Sequence, residues 1–215
     1  ALEYNLKAIS IYEASSNTFK KLLSYEQIGN LYLKQNNYTK ANEYFLQSLN
    51  LYKELNNMAG EASTRFQLGN IGAALHQNNQ AIQQYQISLA LSKRLNMLPL
   101  QAANYNALAK TYEEQGEFEQ AIQQAKQAQR IAQNSNLKIE LEMAYETLSR
   151  LYKVTEKPQQ AKTFESLSKN IKDSLYNDST LKQLADLQLR YESEKSKQQL
   201  LLQEKEQTIL SSELL

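Results

Sequence analysis

The chain has 215 residues with Lys+Arg 24 against Asp+Glu 23, a formal net charge of +1, and no Cys. Charges this closely balanced and mixed along the sequence leave no electrostatic footprint for nucleic acid, and the absence of cysteine removes disulfides, thiolate nucleophiles and cysteine metal ligands. Five Gly and two Pro in a chain rich in Gln, Asn, Leu, Lys, Glu and Ala point to nearly continuous helix, and no apolar run reaches the roughly 18 residues of a membrane span.

Residues 1–14 read as the second helix of a helical hairpin, because Ala1 and Ala8 match Ala41 and Ser48 further on. With no initial Met, no signal peptide and a start in mid-pattern, the sequence reads as a soluble excerpt of a longer protein. Four hairpins are then expected at 22–55, 62–95, 102–135 and 142–175, joined by polar turns. Ala41, Ala81, Ala121 and Ala161 recur at a step of 40 residues, as do Ile28, Leu68, Leu108 and Leu148. In the first helix of each unit the apolar residue precedes a small one (Gly29, Gly69, Ala109, Ser149), and the second helix carries Ser48, Ser88, Ala128 and Ser168 seven residues after its alanine. Such rows mark where helices approach closely, so they are packing positions.

Ser16, Asn56, Asn96 and Asn136 share one position in the turns between units. Asn accepts the left-handed conformation that closes a helix. Pro99 is expected in a linker before a helix and Pro158 near the start of one. From about Thr180 the 40-residue rhythm stops, and 180–215 reads as one helix without Gly or Pro that would extend roughly 54 Å. A heptad through Leu184, Leu187, Tyr191, Glu194, Gln198, Leu201, Lys205 and Thr208 is half polar, which makes a weak coiled coil.

These residues resemble the tetratricopeptide-repeat (TPR) superfamily over about 1–175. The resemblance implies an all-α fold, a right-handed superhelical solenoid of antiparallel helix hairpins followed by a long C-terminal helix. Two positions depart from the pattern: Gly72 stands where Tyr32, Tyr112 and Tyr152 occur, and Ala125 where Phe45 and Tyr85 occur. The 40-residue spacing, the segment beginning IKDSLYNDST at Ile171 and the leucine-rich helix after it are similar to the sensor region of bacterial TPR-containing sensor histidine kinases and membrane-bound transcription regulators. That similarity implies an array outside the cytoplasmic membrane, joined through the 180–215 helix to a transmembrane segment and an output domain beyond this chain.

Little in the sequence suggests chemistry. The sole histidine, His76, aligns with Asn36, Gly116 and Glu156 at the turn inside a unit, where backbone conformation explains it. The aspartates stand about 100 residues further along a one-dimensional stack, which leaves no Ser/His/Asp triad. No metal, phosphate-loop or cofactor motif is present, so the expectation is a segment that is not an enzyme and carries no cofactor. The tyrosine rows, such as Tyr32, Tyr112 and Tyr152 or Tyr12 and Tyr52, recur with the period and read as inter-helix packing rather than a stacking platform for bases.

By the resemblance, the residue after each small one on the first helices faces a concave groove: Asn30, Asn70, Lys110 and Arg150. Two amides and two cations would suit an extended peptide, the amides bonding its backbone and the cations a carboxylate. Glu26, Leu33, Phe66, Asn106, Glu113, Glu146 and Lys153 are expected beside them. The leading expectation is a protein- or peptide-binding scaffold, the sensory region of a membrane-anchored signal-transduction protein of two-component type. It would be extracytoplasmic (periplasmic), with a possible homodimer through 180–215 and a membrane contact only through a segment outside this chain. Two alternatives remain open: an assembly module whose groove is occupied by a C-terminal helix, and a cytoplasmic peptide receptor of the quorum-sensing type.

Overall fold

The computed structural model describes residues 18–213. The expected helix over 1–14, with Tyr12 and the turn residue Ser16, lies outside the described residues. So do the side chains of Leu184, Tyr191 and every position from Gln198 on, which removes most of the heptad residues and the apolar positions Leu200, Leu201, Leu202, Ile209 and Leu210.

Among the described residues the chain is helix and turn only. Seven helices of 17 residues follow one another: α1 (Thr18–Lys34), α2 (Tyr38–Glu54), α3 (Met58–Ala74), α4 (Asn78–Arg94), α5 (Leu98–Glu114), α6 (Phe118–Asn134) and α7 (Lys138–Val154). An eighth, α8, runs from Pro158 to Glu213. Consecutive helices from α1 to α7 pack side by side, and α5 also packs on α7 and α3, so the pairs stack into an array. The chain divides into two compact units, the first ending at Lys169 and the second beginning at Asn170. The first holds the hairpins; the second, as described, is helix.

All seven connections are three residues long and built alike. Their middle residues Asn36, Asn56, His76, Asn96, Gly116, Asn136 and Glu156 all have positive φ, between 52° and 77°. The following amide reaches back to the carbonyl five residues earlier, as in Asn37 N–H to Tyr32 O at 2.9 Å and Met97 N–H to Ser92 O at 2.9 Å. The left-handed residue's own amide bonds three residues back, Asn36 N–H to Leu33 O at 2.9 Å. This Schellman pair satisfies carbonyls that a helix end otherwise leaves open, and the residue that completes it is already the N-cap of the next helix. Asn37 and Asn57 cap with their side chains, accepting from Lys40 N and Gly60 N at 3.2 and 3.0 Å.

The turns between units are therefore shorter than the sequence reading allows. The second, third and fourth hairpins begin at Met58, Leu98 and Lys138, four residues before the expected starts at 62, 102 and 142. Pro99 is consequently in the first turn of α5 rather than in a linker, at a position whose amide needs no intrahelical partner. Nor does the last helix start afresh near Thr180. It runs on from Pro158 to Glu213, and neither Asn170 nor Asn177 takes the left-handed conformation that ends the other helices.

Packing within a hairpin is set by matched sizes. A β-carbon on Gly29 would stand 3.0 Å from the Phe45 ring, and one on Gly69 2.5 Å from the Tyr85 ring, so each glycine makes room for an aromatic. In the third hairpin Ala109 carries that β-carbon and Ala125 replaces the ring, both fully buried. The departure at Ala125 is thus compensated within the pair. Gly72 is also compensated. Tyr25, Tyr32 and Tyr44 form an aromatic group in the first hairpin, as Tyr145, Tyr152 and Phe164 do in the fourth. The second hairpin has Arg65, Gly72 and Gln84 at those positions, with Arg65 donating to Gln84 at 3.0 Å and to Glu61 at 2.8 Å. Gly72 lets α3 approach α4 until its β-carbon would stand 3.2 Å from the Ala81 amide.

Glu156 and Gly116 occupy equivalent left-handed positions, one with a side chain that strains there and one without. We expect Glu156→Gly to raise stability by about 1 kcal/mol and Gly116→Ala, whose added β-carbon meets nothing, to lower it by about as much. Urea unfolding followed by circular dichroism checks both; equal effects of the same sign would show that φ is not the cause.

Candidate functional site

The first helices of the second, third and fourth hairpins wall an open groove of about 860 Å³. From α3 come Phe66, Asn70, Ala73 and Ala74, with His76 in the turn after it. From α5 come Ala103, Asn106, Ala107, Lys110, Thr111, Glu113 and Glu114, and from α7 Glu140, Met143, Glu146, Thr147 and Arg150. The second helix α4 contributes Tyr85.

The groove opens where the side chains are short. Ala73, Ala74, Ala103 and Ala107 occupy positions held in the first hairpin by Leu33, Lys34, Leu23 and Gln27, and in the fourth by Lys153, Val154, Met143 and Thr147. Core rows repeat instead: Ala41, Ala81, Ala121 and Ala161 are all buried. The wall positions Phe66, Asn106 and Glu146 are equivalent by the 40-residue step yet differ among the three hairpins that wall the groove, so stacking alone does not dictate them.

Of the residues expected in a groove, Asn70, Lys110, Arg150, Phe66 and Asn106 line this one, together with Glu113 and Glu146. Asn30, Glu26, Leu33 and Lys153 do not. Glu26 accepts from the Tyr52 hydroxyl at 2.8 Å, and Lys153 pairs with Glu165 on α8 at 3.0 Å. Burial first, and then the Glu26 bond and charge, push the Tyr52 phenol well above its ordinary range. The picture of two free amides and two free cations also changes. Asn70 accepts the Tyr85 hydroxyl at 2.9 Å and donates to Gln67 at 3.1 Å, so it supports a buried ring as well as facing the groove. Burial, with the Glu114 charge adding to it, holds Tyr85 protonated far above the usual phenol range.

Arg150 reaches from α7 to α5 and donates to both Glu113 oxygens at 3.1 and 2.9 Å, with Glu146 at 3.9 Å on its own helix. The bond to Glu113 raises the guanidinium's pKa, partly opposed by burial. Because Arg150 is nearly half exposed, water screens the pair, and its main effect is to fix where the two charges sit. Asn106, buried in the α5 wall, donates to the Glu140 carbonyl at 2.9 Å, and its Oδ1 has no partner. Lys110 has no hydrogen-bond or ion-pair partner among the described residues. Glu114 and Glu140 form no salt bridge there either.

The groove thus offers four carboxylates, Glu113, Glu114, Glu140 and Glu146, against two cations. Glu114 and Glu140 escape a reading that follows a single row of positions. The signal that could have found the groove is the alanine quartet, which marks the two hairpins with the least side chain on that face.

Two family models, both described as tetratricopeptide repeat, match residues 22–59 and 60–134, together more than half of the chain. No curated protein matches it. Among solved structures the fold is similar to BtubC (BKLC) from P. vanneervenii, with TM-score 0.68 and 21% identity over 74% of this chain and 66% of that one. It is also similar to the repeats of a putative kinesin light chain from Podosopora anserina, with TM-score 0.68 and 15% identity over 82% of this chain and 87% of that one. A signal transduction ATPase with a tetratricopeptide repeat sensor, PH0952 from Pyrococcus horikoshii, aligns with TM-score 0.70 and 16% identity over 82% of this chain but 28% of its own. The chain thus spans just under two thirds of BtubC and under a third of the ATPase.

Asn70→Ala would leave the Tyr85 hydroxyl buried without an acceptor, which costs about 1–3 kcal/mol. Lys110→Ala, at an exposed and unpaired position, is expected to stay within about 0.5 kcal/mol of the parent. Equal loss in both variants, measured by urea unfolding, would overturn this division between supporting and free residues.

Proposed function

Because the chain belongs to the tetratricopeptide-repeat family, we propose that it is a non-catalytic protein- or peptide-binding scaffold whose ligand lies in the groove between α3, α5 and α7. One observation carries this reading: the array walls a groove of about 860 Å³ with the equivalent positions Phe66, Asn106 and Glu146, which differ among its three hairpins while the buried alanines Ala81, Ala121 and Ala161 repeat. A volume in that range with mixed apolar and polar walls is typical of ligand sites. The groove faces of Phe66 and Met143 supply apolar contact, and the charged and amide groups supply direction.

The scaffold serves, on this proposal, as the sensory array of a membrane-anchored bacterial signalling protein and sits outside the cytoplasmic membrane. The segment from Ile171 and the helix after it support this by their similarity to such sensors, and PH0952 is a protein in which a tetratricopeptide repeat sensor is joined to signalling domains. No helix among the described residues is long and apolar enough to cross a membrane, so the anchor would lie in sequence beyond this chain. A homodimer through 180–215 is the second part of the proposal. Leu181, Leu187 and Leu189 are each about two thirds exposed in the second unit, which leaves apolar surface for a partner helix.

Peptides selected from a displayed random library on the 215-residue chain test the groove. Ala74→Trp puts a large side chain at an exposed wall position. It should weaken selected peptides by about tenfold or more at unchanged melting temperature; undiminished binding would place the ligand elsewhere.

Two further measurements address the signalling role. In cells making the whole protein, protease added outside the cytoplasmic membrane should cut the array, and complete protection would refute the extracytoplasmic placement. Light scattering on the 215-residue chain should give a dimer that Leu187→Glu converts to a monomer; the same mass for both would remove the tail from any assembly role.

A further inference from the structure

We infer that the groove takes a cationic ligand, a peptide segment presenting Lys or Arg side chains beside apolar ones, rather than a carboxylate or an acidic peptide. This rests on the groove reading above and names the ligand class for that site. Most of the donors in the wall already have partners, and most of the acceptors do not. The guanidinium of Arg150 is engaged by Glu113, and the amides of Asn70 and Asn106 already donate to Gln67 and to the Glu140 carbonyl. Of the Lys and Arg side chains that line the groove, Lys110 is the one left without a partner among the described residues.

On the other side stand acceptors. Glu114 and Glu140 have no salt bridge, Glu146 has only the 3.9 Å approach of Arg150, and the Oδ1 of Asn106 is buried in the wall without a donor. The two kinds of acceptor are independent observations that agree. Three carboxylates lacking a close counter-ion set a negative potential in the groove, and the partial negative charge of a buried carbonyl oxygen without a donor adds to it. A ligand bringing ammonium or guanidinium groups is favoured by both, whereas a carboxylate meets only Lys110 and is repelled by the rest.

The apolar part of the ligand follows from Met143, which is about half exposed on the wall, and from Phe66 opposite the alanines. The long stem of Lys or Arg lies well on such a surface while its head reaches a carboxylate. Since the chain as a whole is +1, attraction of a basic peptide cannot come from net charge and has to come from the groove.

The probes are capped peptides of about ten residues, identical in their Leu and Ala positions and carrying Lys, Gln or Glu between them. Their binding to the 215-residue chain is read by fluorescence anisotropy. The Lys peptide is expected to bind about tenfold or more tightly than the Gln peptide and to weaken as salt rises from about 0.05 M to about 0.5 M, while the Glu peptide binds least. Glu114→Gln with Glu140→Gln should cost the Lys peptide about tenfold, and Lys110→Gln should improve it by about threefold.

A Glu peptide that binds as well as the Lys peptide overturns the inference, as does unchanged Lys-peptide affinity in the double glutamate variant. Should that double variant fold poorly by its melting curve, Lys110→Gln decides alone, and lower or equal affinity for the Lys peptide sinks the proposal. Ala74→Trp separates this from the groove reading. A Glu peptide that binds and is lost in Ala74→Trp defeats the cationic ligand but keeps the groove. A Lys peptide indifferent to Ala74→Trp defeats both.

Discussion

The three-residue turn with one left-handed residue at its centre is the constraint on which this structure depends. It ends one 17-residue helix and caps the next within the same three residues, so no slack separates successive helices. Any residue can follow such a turn, but few accept its centre without strain, which is why four of the seven centres are Asn and one is Gly. A helix start every 20 residues gives the 40-residue step between equivalent positions. That step is what aligns the small residues of one hairpin with those of the next.

With the helices held this closely, side-chain size becomes a local trade. Gly29 with Phe45 and Gly69 with Tyr85 solve the hairpin interface in one way, and Ala109 with Ala125 solves it in another. Polar groups are traded similarly. Ser88 donates to the Ala62 carbonyl at 2.7 Å and accepts from Asn104 at 2.9 Å, where the preceding pair has Ser48 and Thr64. In that preceding pair both hydroxyls are buried without partners, which is a cost the array carries between its first two hairpins. The equivalent pair Ala128 and Ala144 avoids it by having no polar atom to satisfy.

The sequence therefore spoke clearly on everything tied to the period: the all-helical hairpins, the small rows, the buried alanines and the left-handed Asn56, Asn96 and Asn136. It spoke poorly where one side chain answers another across helices. That the turns between units are as short as those within them escapes the sequence reading although the start signals are there: Asn57 caps α3 with Glu61 in its first turn, and Pro99 stands in the first turn of α5, where that reading has a linker. The position of the groove was half legible. A single row led to Asn70, Lys110 and Arg150, but the same row included Asn30, which does not line the cavity. Whether Asn70 or Arg150 was free depended on Tyr85 and Glu113, residues 15 and 37 positions away. No spacing rule announces those pairings.

The Arg150–Glu113 pair gives the groove its character in a way its modest energy would not suggest. By drawing the guanidinium across to α5, it removes from the groove the cation that the sequence offers to an anionic ligand. It also neutralises the carboxylate closest to Lys110 in sequence, leaving Glu114, Glu140 and Glu146 to set the field. An exposed ion pair of this kind adds little to stability but fixes two long side chains before any ligand arrives, so less rotamer freedom is lost on binding. Under the proposed cationic-ligand reading, selectivity would rest on what remains unpaired rather than on what is present. The pair leaves the excess of carboxylate over cation unchanged, but it turns a ratio of four to two into one of three to one among the groups still without a close partner.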